Sequence, residues 1–131
     1  AVWDFNNGFD NYQWFRSETD AFHTIENSWI ERLWQDENFR EGVRERYCQL
    51  RKSTLSEEHI FDKIASYEKE LGEAVERNFK VWGYSFEENL LVGRNKDGTS
   101  RDIESYEDAM TQLKDTIQKR IAFLDKELGG N

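Results

Sequence analysis

Apolar residues recur at helical spacing over most of this chain, in four stretches. The first runs from about Thr24 to Trp34. It carries Ile25, Trp29 and Leu33 on one line, with Ile30 and Trp34 widening the stripe. The second starts near Asp36, a residue suited to an N-cap, and continues to about Lys52. Phe39, Val43, Tyr47 and Leu50 form its apolar face, and Arg51 and Lys52 suit the negative end of the helix dipole. The third reads as one long helix that opens at Ser56, with Glu57 and Glu58 in its first turn. Ile60, Ile64, Tyr67, Leu71, Val75 and Trp82 keep the period, and Gly83 provides a stop. Gly72 lies inside it at a cost of about 1 kcal/mol relative to alanine, which predicts close packing there. The fourth begins at Ser105, with Asp108 placed to complete a capping box. Tyr106, Met110, Leu113, Ile117, Ile121, Leu124 and Leu128 make its stripe, and Gly129 and Gly130 end it.

Two stretches break the pattern. Residues up to about Phe22 read as irregular or short β structure. Between the last two helices, Leu90 to Val92 and the turn-prone "NKDG" suggest a short hairpin or an extended excursion. No proline interrupts the chain, so helices can run long. The predicted fold is mainly α, a bundle of about four amphipathic helices with an irregular or short-β N-terminal stretch, and residues 1–131 suit a single domain.

Composition narrows the function classes. Aromatics make up 15% of the 131 residues, with five Trp, enough to build a core from rings where aliphatic residues are few. There are 27 acidic and 18 basic side chains, for a net charge of −9, which argues against nucleic acid or an anionic membrane as a partner through the overall field. No apolar run approaches the roughly 20 residues that a membrane span requires. The single cysteine, Cys48, falls at helical spacing among Val43, Tyr47 and Leu50 and reads as a packing residue.

Candidate chemistry is sparse. His23 and His59 belong to no metal-ligand spacing, and no nucleophile elbow is present. Asn95, Asp97, Gly98 and Glu104 fall on calcium-loop positions. That template requires an acid where Gly93 stands, and a plain turn at Asp97-Gly98 explains the same residues. Glu73 and Arg77, one turn apart, read as a solvated helix face. The aromatic side chains read mainly as core, though Trp29, Trp34 or Trp82 can leave a ring exposed for a ligand. The stretch "VWDFNNGFDNY" remains. A β-friendly Val-Trp leads into Asp4, followed by Asn6 and Asp10. Carboxylate and amide oxygens suit hard cations, and Mg²⁺ is commonly held by one or two carboxylates together with phosphate oxygens. The competing reading makes Asp4 and Asn6 turn residues that bond the local backbone.

The order of segments, "VWDFNNGFDN", then "WIERLWQDENFREGVRERYCQLRKSTLSEEHIFDKI", then "AVERNFKVW", then "LKDTIQKRIAFLDKEL", resembles the C-terminal part of the CotH family, the spore-coat protein H-like atypical protein kinases. The resemblance covers almost the whole chain. It implies the helical C-terminal portion of a divergent kinase-like fold and a parent enzyme that phosphorylates coat or surface proteins on serine, using Mg²⁺ and ATP. Asp4 matches the family acid expected to hold the metal on the nucleotide phosphates. Asn6 stands where many members carry a second Asp, so it offers a carbonyl oxygen without the charge. "GFDN" departs from the more usual Phe-Gly-Asn order.

On this reading the chain is a C-terminal fragment of a longer kinase domain. Its partners are the missing N-terminal part of that domain and a protein substrate. The phosphate-binding Lys or Arg and the group that orients the acceptor hydroxyl lie upstream, and no glycine-rich phosphate loop is present here. The isolated fragment is therefore expected to be inactive and to hold no cofactor. The implied location is the spore coat or the cell surface. The alternative is an acidic helical binding module at the cell surface with no catalytic activity, and a third possibility is a scaffold element without any site.

Overall fold

In the computed structural model, residues 9–10, 19–22, 28–82 and 101–129 are described. Five helices run through them: α1 (Ser28–Trp34), α2 (Glu37–Arg51), α3 (Glu57–Leu71), α4 (Ala74–Trp82) and α5 (Tyr106–Leu128). No strand occurs among the described residues, so the mainly α expectation holds. The expected β or irregular start, apart from residues 9–10 and 19–22, and the expected hairpin at residues 90–98 lie outside them. So does the predicted beginning of the first helix at Thr24.

Helix boundaries follow local chemistry. Asp36 caps α2 from an extended backbone, and its Oδ1 accepts from the Asn38 amide at 2.8 Å and the Phe39 amide at 3.3 Å. Ser56 Oγ accepts from the His59 amide at 3.1 Å to start α3. Ser105 Oγ accepts from the Asp108 amide at 3.0 Å, the N-cap half of the predicted box, while Asp108 Oδ2 accepts at 2.8 Å from the Ser105 hydroxyl and not from its amide. Gly129 closes α5 at φ 73°, donating its amide to the Asp125 carbonyl at 2.8 Å.

The predicted single helix from Ser56 to Trp82 is two helices. Gly72 adopts φ 45°, the left-handed conformation of a helix C-terminal cap, and its amide donates to the Glu68 carbonyl at 3.0 Å. A Cβ built on Gly72 would meet only the Lys69 carbonyl, at an ordinary 3.7 Å. The glycine is there for its backbone angle and not for close packing.

The chain divides into two compact units, and the division runs through α3 and α5. The first comprises Ala1–Glu18 and Ile64–Ile117, the second Thr19–Lys63 and Gln118–Asn131. Within the second, α1 packs on α2. Phe22 tilts against Trp34 (ring centroids 5.6 Å apart) and against Phe123 (5.1 Å), while Trp34 meets Phe39 edge-on. Arg120 stands over the Phe123 ring and donates to the carbonyls of Thr19 and Ala21. Gln118 Nε2 donates to Glu57 Oε1 at 2.6 Å. Tyr47 and Leu128 are the only buried apolar residues among those described, so half-buried rings and polar ties carry much of this unit's cohesion. In the first unit the buried described residues are polar: Asp10, Arg101 and Thr116.

Candidate functional site

Asp4 and Asn6, the residues the sequence singles out for a cation, lie outside the described residues. The structure does describe Asp10, the second acid of the same stretch, and shows how it is held. Asp10 sits at φ 61°, a left-handed conformation that Asp tolerates better than most side chains. Arg101, on the lead-in to α5, donates from Nη2 to Asp10 Oδ1 at 3.0 Å and to the Asp10 main-chain carbonyl at 3.1 Å. Gln112, early in α5, adds longer contacts of 3.4 Å from Nε2 to the same carbonyl and to Oδ2. The Arg101 side chain is 2% exposed and that of Asp10 8%.

The carboxylate of Asp10 is already neutralised by a guanidinium in a dry environment, where releasing either partner would leave a buried charge uncompensated. It therefore serves as an anchor. No group of three or more His, Cys, Asp or Glu that could hold a metal occurs among the described residues. Of the calcium-loop residues, Glu104 is described and exposed, and Asn95, Asp97 and Gly98 lie outside the described residues.

A second polar node lies in the second unit. Arg51 grips Asp125 with two bonds, Nε to Oδ1 at 2.8 Å and Nη2 to Oδ2 at 2.9 Å, and reaches the Leu55 carbonyl with Nη1 at 2.7 Å. The Tyr47 hydroxyl donates to Asp125 Oδ1 at 2.7 Å. Hydrogen bonding to Arg51 holds the Asp125 carboxyl below the usual carboxylate range. Burial, reinforced by the bond to Asp125, pushes the Tyr47 phenol well up, so it stays a neutral donor. Sequence reasoning placed Tyr47 on an apolar face and Arg51 at a helix end. Their convergence on Asp125, 78 and 74 positions away, has no local signature. Cys48 is half-buried beside this node, its Sγ 3.0 Å from the Gly129 carbonyl, consistent with a packing role.

His59 is exposed in the first turn of α3, and His23 lies outside the described residues. Glu73 and Arg77 pair at 3.5 Å on an exposed face, as their spacing predicts. Of the tryptophans, Trp34 is packed, but Trp29 and Trp82 are 80% and 78% exposed, against the expectation that most such rings are core.

The comparison with known families places the chain. Residues 1–124 match the family described as CotH kinase protein. The chain belongs to the CotH kinase family. No curated protein and no solved structure matches it.

Proposed function

We propose that the chain is the helical C-terminal portion of a CotH-type protein kinase whose intact form phosphorylates coat or surface proteins with Mg²⁺-ATP. The observation that carries this reading is the family match, which includes the "VWDFNN" segment. Asp4 and Asn6 are the residues assigned to the metal on the nucleotide phosphates, and the bound cation would neutralise charge on the transferring phosphoryl group. Arg101 and Gln112 hold Asp10, four residues after Asn6 in the chain. Groups that cradle phosphate and orient the acceptor hydroxyl come from outside residues 1–131, so these residues alone transfer no phosphate. The location that goes with this function is the spore coat or cell surface. No helix among the described residues is long and apolar enough to cross a membrane.

A second reading, an acidic interaction module without catalysis, is favoured by one observation: Trp29 and Trp82 present their rings to solvent, and exposed aromatic side chains are common anchors at interfaces. Phosphoryl transfer from radiolabelled Mg²⁺-ATP to a serine-rich coat protein separates the two. The kinase reading requires labelling by the full-length protein and none by residues 1–131. Absence of labelling and of nucleotide binding in the full-length protein would leave the interaction module.

A further inference from the structure

We draw no further inference here: the strongest candidate, the exposed apolar surface at the ends of α3 and α4 that carries Leu71, Val81 and Trp82, carries nothing because no observation in the structure shows what covers it.

Discussion

The two polar nodes of this protein use the same chemistry for different ends. In the second unit, Arg51 and Tyr47 project from one helix and meet Asp125 on another, so all three side chains start from rigid backbone. In the first unit, Arg101 and Gln112 hold Asp10, which stands on irregular backbone at φ 61°. The first arrangement ties helix to helix and lends stability to everything those helices carry. The second ties Asp10, which belongs to no helix, to α5 and its lead-in, so its loss can be absorbed locally. A buried ion pair is thus a weak guide to its own purpose, and the backbone beneath each partner is the better one.

The largest effect should come from the helix-to-helix node. Asp125→Ala strands the Arg51 fork and the Tyr47 hydroxyl, and a loss of about 3 kcal/mol is expected, visible as a lower midpoint in urea unfolding with an unchanged slope. Arg101→Met should cost the global transition less, because Asp10 stands in no helix and can open locally before the protein unfolds. Equal falls in the unfolding midpoint would break the distinction between the nodes. Acid sharpens it. The folded Asp125 carboxyl titrates below its unfolded value, so its contribution is complete above the unfolded value of about 3.9 and is lost as the pH falls from there through the folded value. Unfolding curves measured between pH 7 and pH 2 should therefore converge for the unaltered protein and Asp125→Asn at the acid end. A gap that persists undiminished would place the stabilisation elsewhere. The smallest effect lies outside both nodes: Gly72→Ala should cost about 1 kcal/mol, the strain of a Cβ at φ 45°. A stabilising result would mean that α3 and α4 prefer to join.

Much of this architecture was legible in the sequence, because helix starts are written in a few adjacent residues. Asp36, Ser56 and Ser105 each do their work within three positions, and all three cap their helices as read, although Asp108 accepts from the Ser105 hydroxyl instead of completing a box. Gly72 was misjudged for a physical reason. An apolar stripe that continues on both sides of a glycine does not reveal whether the glycine is tolerated within a helix or ends one, and its positive φ decides the matter. The anchor was illegible in principle. Asp10 and Arg101 are 91 positions apart, one in an asparagine- and glycine-rich stretch and the other beside a turn-like run, and neither carries a periodicity that would bring them together. The same holds for Arg51 and Asp125, where helical period located each residue but not its partner. Trp29 and Trp82 mark the limit of stripe reading, since both sit on the apolar period and both face solvent.

The central claim is that Asp4 was placed to hold a cation on a nucleotide. Titration calorimetry of Mg²⁺ with adenylyl imidodiphosphate into the full-length protein, with and without Asp4→Asn, addresses it most directly. The account predicts measurable binding that weakens by at least about tenfold in the variant. Equal affinity in the two proteins would contradict it.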